Sequence, residues 1–234
     1  MKKFALFISF TILLVATFSA IAHENDSIKN ANVQYKGMYI GAQASTNGWG
    51  FDARYIFNKT ITVKVGFEKL YFSTSLDYSE GDIEYDASLD YKTGGISLMA
   101  DINYTKNLYI SAGAALNSLN PEIKGVAVSE MQYGDITIPA SMVGDFVFTL
   151  TPSMDISPYL GAGFRSFIGS KERVIFSFET GVYYLGAPNV EIEATGLLAP
   201  TADPAHGQKE LLESQLSQYK FYPVIKINLA VKLF

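Results

Sequence analysis

Cysteine is absent from all 234 residues, which excludes disulfide frameworks, thiolate metal sites, thiol chemistry and a lipid-anchoring cysteine behind an export signal. Histidine is nearly absent: His23 and His206 are the only two. Nucleophilic catalysis would usually need a histidine beside a serine or carboxylate, and neither histidine lies on a predicted strand with such a neighbour. After residue 22 no apolar run approaches the roughly 18 residues of a membrane-crossing helix. An excess of basic charge is lacking too. The formal net charge is −5, and without Lys2 and Lys3 the balance is 16 basic against 23 acidic residues, or −7, which disfavours a nucleic-acid binder.

The first 22 residues read as an export signal. Lys2 and Lys3 precede an apolar run from Phe4 to Phe18, and Ala20-Ile21-Ala22 supplies a small-x-small cleavage site. That run, about 15 residues, is short for a membrane anchor. The expected organisation is a signal peptide over 1–22, an N-terminal periplasmic segment over 23–36 and a single domain over 37–234.

What the chain does have is spread hydrophobicity, with apolar residues 48% and aromatic residues 14% of the whole and 19 glycines, arranged with a period of two. Eight segments alternate apolar and polar positions, at about 37–45, 49–57, 60–76, 88–104, 107–117, 156–168, 172–185 and 222–233. Each is long enough to cross a bilayer when tilted, for which about 9–11 residues suffice. Leu108, Ile110, Ala112, Ala114 and Leu116 share one face of the fifth segment. In the second, Trp49, Phe51, Ala53, Tyr55 and Phe57 oppose Gly50, Asp52 and Arg54, with Ile56 an exception on the polar side. Aromatics at both ends of one face are the mark of interfacial girdles. The third segment loses its parity near Lys69, where Leu70 and Phe72 change sides, as a bulge or emergence from the bilayer would produce.

Connections alternate between tight turns, at Asn58-Lys59, Thr105-Lys106-Asn107 and Gly169-Ser170-Lys171, and long stretches at 77–87, 118–155 and 186–221, with a short Thr46-Asn47-Gly48 link on the long-loop side. Segregated loop lengths fit an outer-membrane barrel. The expected fold is all-β: an eight-stranded antiparallel transmembrane β-barrel with long extracellular loops and one short loop helix. That helix is expected over 204–219, with Asp203 as N-cap, Pro204 in the first turn, and Leu212, Leu216 and Tyr219 recurring at helical spacing.

Three segments, Pro158-Tyr159-Leu160-Gly161-Ala162-Gly163-Phe164, Gly186-Ala187-Pro188-Asn189-Val190 and Phe221-Tyr222-Pro223-Val224-Ile225, resemble those of small OmpW- and OmpA-like outer-membrane barrels of Gram-negative bacteria. The resemblance implies location in the outer membrane among its lipids and lipopolysaccharide. It also implies roles ranging from structural support to uptake of small apolar compounds. The final strand resembles a C-terminal assembly signal ending in Phe234, which implies handling by the barrel-assembly machinery. Phe234 falls one residue beyond the parity of Ile225, Ile227, Leu229, Val231 and Leu233.

The inward faces collect Asp52, Glu68, Asp101 and Glu179 with Arg54, Lys64, Arg165, Lys226 and Lys232. An eight-stranded barrel is only just wide enough for its own side chains, and interior charges are costly unless paired. These residues are therefore expected to form a near-neutral network filling the lumen, with a narrow gated polar conduit as the alternative. Asp77, Glu80, Asp82, Glu84, Asp86 and Asp90 crowd one outer loop but lack the order of a calcium-binding loop. No residues are assigned to a metal, a cofactor or catalysis. The expected function is a structural or interaction barrel, binding or passing small apolar ligands, and the runner-up is a lipid-modifying enzyme.

Overall fold

A computed structural model describes residues 36–80, 83–169 and 172–234; the expected signal peptide and nearly all of the 23–36 segment lie outside the described residues. The strands are β1 (Gly37–Ser45), β2 (Gly48–Ile56), β3 (Ile61–Glu80), β4 (Ile83–Asn103), β5 (Leu108–Asn117), β6 (Glu122–Ala127), β7 (Met131–Tyr133), β8 (Ile136–Ile138), β9 (Asp145–Thr151), β10 (Ile156–Ile168), β11 (Val174–Tyr184), β12 (Asn189–Ala194) and β13 (Phe221–Lys232). Eight of them close a ring of antiparallel pairs in the order β1-β2-β3-β4-β5-β10-β11-β13. Closure comes where β13 returns to β1, from Tyr39 opposite Lys232 to Ser45 opposite Lys226. The eight predicted segments are these eight strands; six agree at their ends within two residues, while β3 and β4 run four and five residues further out.

Alternation decides what each wall residue meets. Phe51, Phe67, Ile96, Leu98, Ile110, Leu160 and Leu229 point outward from the ring, and each is between 49 and 59% exposed. A belt of that kind would be an aggregation hazard in water, and it is what hydrocarbon requires. Trp49 and Phe221 ring one end and Phe57 and Tyr104 the other, all exposed. An apolar belt bounded by aromatics, around a closed barrel with polar residues inside, places the chain in the outer membrane. The tight turns at 57–60 and 104–107 lie at the end that holds Gly37 and Lys232, which is therefore the periplasmic one.

Beyond the bilayer, the structure departs from the expected loops. β3 and β4 stay paired from Ile61 opposite Ile102 to Glu80 opposite Ile83. The stretch 77–87 is thus mostly hairpin, and residues 81–82 at its tip are outside the described set. The same unbroken register rules out a bulge at Lys69 between these strands. What changes there is the neighbour: Trp49 opposite Lys69 is the last pair with β2, so above it β3 leaves the ring.

On the other side of β4, two consecutive glycines mark the departure. β5 pairs up to Gly95, and β6 takes over from Asp90 upward. Gly94 and Gly95 have φ of +135° and +141°, and a Cβ on Gly95 would lie 1.9 Å from the Leu116 carbonyl oxygen. Only glycine lets one strand bend from the barrel wall into a second sheet at this point. That sheet continues β3-β4-β6-β9-β12, and β7 and β8 form a separate small hairpin.

Three short helices cover the outer sheet: α1 (Ala140–Val143), α2 (Ala199–Ala202) and α3 (Gln208–Leu216). The single helix expected over 204–219 is split. Asp203 does cap, its carboxylate accepting the Ala205 N–H at 2.9 Å, but the turn it caps is a 3-10 turn over Pro204–His206. Gly207, at φ +68°, then breaks the chain before α3 begins.

Candidate functional site

The inward residues of the barrel wall come together in three groups of buried contacts in the lumen. Arg54, 4% exposed, pairs with Asp52 at 2.7 Å and donates to Ser177 at 3.0 Å and to Asn228. Asn228 in turn donates to Asp52. Asp101, 0% exposed, receives Arg165 at 2.7 Å on one oxygen and Lys64 at 2.9 Å on the other. Lys64 also pairs with Glu179, which accepts the Tyr159 hydroxyl at 2.7 Å. Lys226 pairs with Glu68 at 3.1 Å and donates to the Tyr183 hydroxyl at 3.0 Å. Glu68 accepts from Asn47, whose amide oxygen receives the Thr93 hydroxyl at 2.6 Å.

Of the nine charged residues expected in the lumen, the structure brings eight into these pairs. Lys232 shares their face but stands at the periplasmic end, its ammonium 5.9 Å from the centre of the Tyr39 ring. The aromatic members were missed: Tyr109 lies under Arg165 at 4.5 Å and near Lys64 at 5.2 Å, and Tyr159 and Tyr183 flank Lys226. Their signal was present, since all three occupy inward positions of β5, β10 and β11. Glycine makes the space they fill. A Cβ on Gly161 or Gly181 would fall 2.4 or 2.3 Å from the Tyr159 hydroxyl oxygen.

Above the charges, Met99, Ala115, Tyr159, Tyr183, Leu185 and Val224 form a buried apolar cluster towards the outer mouth. A cavity of about 30 Å³ lies among the charges, with Asp52, Arg54, Lys64, Glu179 and Lys226 in its walls, room for a water molecule or two.

Two larger cavities lie outside the lumen. One, of about 370 Å³, sits over the outer ends of β5, β10, β11 and β13, with Leu119, Leu150, Pro188, Leu216 and Tyr219 among its walls. The other, of about 660 Å³, lies between the inner face of the outer sheet and the covering helices. Its sheet side carries Tyr85, Ala87, Ile123, Phe146, Phe148 and Ile192, and its helical side Leu198, Thr201, Gln208 and Leu212. α3 borders both, and Glu213 ties it to the sheet by accepting the Val190 N–H at 3.1 Å.

Of the acidic outer hairpin, Asp82 lies outside the described residues. Asp90 is matched by Lys124 at 3.6 Å and Tyr71 at 3.4 Å; the Ser73 hydroxyl and then the nearby cations hold its carboxyl below the usual range. Among the described residues no group of three acidic or histidine side chains is placed to hold a metal ion. His206 is on the exposed loop, 3.9 Å from Asp203, and His23 is outside the described residues. Phe234 follows the end of β13. Its carbonyl oxygen accepts the Met38 N–H at 3.1 Å, and its ring is exposed, consistent with the parity slip in the sequence.

No family model matches the chain, and no curated protein matches it either. Solved structures do. The chain is similar to Acinetobacter baumannii CarO2, with 22% identity and a TM-score of 0.56 over 85% of this chain and 99% of that one. It is similar to Acinetobacter baumannii CarO at 22% identity and a TM-score of 0.54, over 86% and 100% of the two chains. At that identity the likeness is one of fold.

Proposed function

We propose that this chain is a non-catalytic outer-membrane barrel of structural and interaction type, whose lumen is closed to ions and whose extracellular cap meets its partners. The observation that carries this reading is the set of buried pairs that fill the lumen, Arg54 with Asp52 and Lys64 with Asp101 and Glu179, around a cavity of about 30 Å³. A hydrated ion would have to break several buried pairs to pass, each of which is expensive to open. Small apolar compounds, the cargo suggested by the resemblance to OmpW- and OmpA-like barrels, would face the same charges. Binding at the cap is the route left to them. The outer-membrane lipids, lipopolysaccharide and the assembly machinery that reads a strand ending in Phe234 are the other partners proposed.

Purified protein in planar bilayers tests the closed lumen. The expected record is a baseline without steady steps at moderate voltage. Sustained, reproducible open-channel current would replace this reading with the gated polar conduit.

A further inference from the structure

We propose that the cavity under the cap is a binding site for a small neutral molecule that is mostly hydrocarbon and carries one hydroxyl or carbonyl group. This rests on the reading of the cap as the working part of the molecule, and it specifies the chemistry that part accepts. The volume, about 660 Å³, falls within the roughly 300–1,000 Å³ of sites that enclose small ligands.

The walls fix the class. Tyr85 and Ala87 are 6 and 3% exposed and form the floor, joined by Ile123, Phe146, Phe148 and Ile192 from three successive strands. Gly125 is part of this construction: a Cβ there would lie 2.4 Å from the Phe146 ring, so its absence lets the ring lie flat on β6. Polar atoms sit on the helical side, at the exposed mouth. The Thr201 hydroxyl donates to the Leu198 carbonyl at 2.7 Å, which leaves its oxygen free to accept, and the Gln208 amide can donate or accept.

Charge completes the argument. No lysine or arginine lines the cavity; the segment at its mouth carries Asp203, Glu210 and Glu213 together with Lys209, which lies 4.0 Å from Glu213. An anionic head group would meet no cation in the walls. A neutral head group loses nothing there, and an apolar body gains the contact with the floor that water cannot make.

The test uses the full chain in lipid nanodiscs and a neutral long-chain alcohol bearing an alkyl diazirine, with photolabelled peptides mapped by mass spectrometry. Label on the lipid-facing strands is the internal reference for any apolar probe. The expected result is additional label on peptides containing 146–148, 192–198 and 208–212, removed by excess unlabelled alcohol. The carboxylate of the same chain length should compete about tenfold less well or worse at pH 8. Ile192→Trp and Leu212→Trp should each remove the cap label while leaving the reference label intact. Label confined to the lipid-facing strands would overturn the site, and this result needs no variant to fold. Equal competition by the carboxylate would overturn the ligand class. A barrel that conducts in planar bilayers yet labels in the cap would refute the closed lumen and support this site.

Discussion

Asp101→Ala is expected to lower the free energy of unfolding by about 3–5 kcal/mol, the cost of stranding a buried charge. Asp101 is fully buried and takes Arg165 on one oxygen and Lys64 on the other. Its removal leaves Arg165 without a carboxylate partner beside Lys64, which keeps Glu179. Arg165 keeps only the Thr62 hydroxyl at 3.0 Å and the face of Tyr109, neither of which carries the opposite charge. Replacing Arg165 and Asp101 together by Met and Leu is expected to cost much less than Asp101→Ala alone, because no unpaired charge is then created. The chain has a single tryptophan, Trp49, which is 66% exposed on the lipid side at the outer rim. Its fluorescence during urea unfolding from lipid vesicles reports both variants. A loss below about 1 kcal/mol for Asp101→Ala, the range of an exposed ion pair, would show that the lumen is hydrated and its charges screened.

The second large effect lies on the opposite face of the wall. Leu98 and Ile156 are equally exposed, at 59%, so a soluble protein would tolerate a charge at either one alike. Leu98 sits midway along the part of β4 that pairs within the ring, whereas Ile156 begins β10 at the outer rim. Arginine at the midplane of a lipid-facing strand costs about 2–4 kcal/mol and near the interface about 0–1 kcal/mol. Leu98→Arg should therefore lose several times more stability than Ile156→Arg, measured by the same vesicle unfolding. Equal losses would mean that this belt does not face hydrocarbon.

The ring strands were legible in the sequence because each has two chemically different surroundings, lipid and lumen, and period-two alternation writes that difference into every position. Leu108 to Leu116 against Tyr109 to Ala115 is the clearest case. The outer sheet carries the same signal in Phe146, Phe148 and Leu150 and in Val190 and Ile192, yet these short runs sit inside stretches whose length suggested loops. Nothing in a strand's pattern says whether its apolar face meets lipid or a helix above the membrane. The helix over 204–219 was legible through Leu212 and Leu216, but the break at Gly207 depends on a left-handed backbone that an isolated glycine only permits.

The lumen residues could be named from parity alone; their pairing could not. Arg54 meets Asp52 two residues away on its own strand, while Lys64 meets Glu179 from across the barrel. That outcome depends on register and on the depth of each strand in the ring. Lys232 has the right parity but stands at the periplasmic end of β13, beside Tyr39.

The absence of cysteine permits the most direct test of a closed lumen. Ser97 lines the small lumen cavity and is 8% exposed, whereas Asp135 is exposed on the turn between β7 and β8. With Ser97→Cys and Asp135→Cys made separately in a thiol-free background, reaction with a small charged methanethiosulfonate reads access to each position. Modification is expected to be rapid at 135 and on the order of a hundredfold slower at 97, where burial suppresses the thiolate and blocks the reagent; comparable rates at the two positions would contradict a closed lumen.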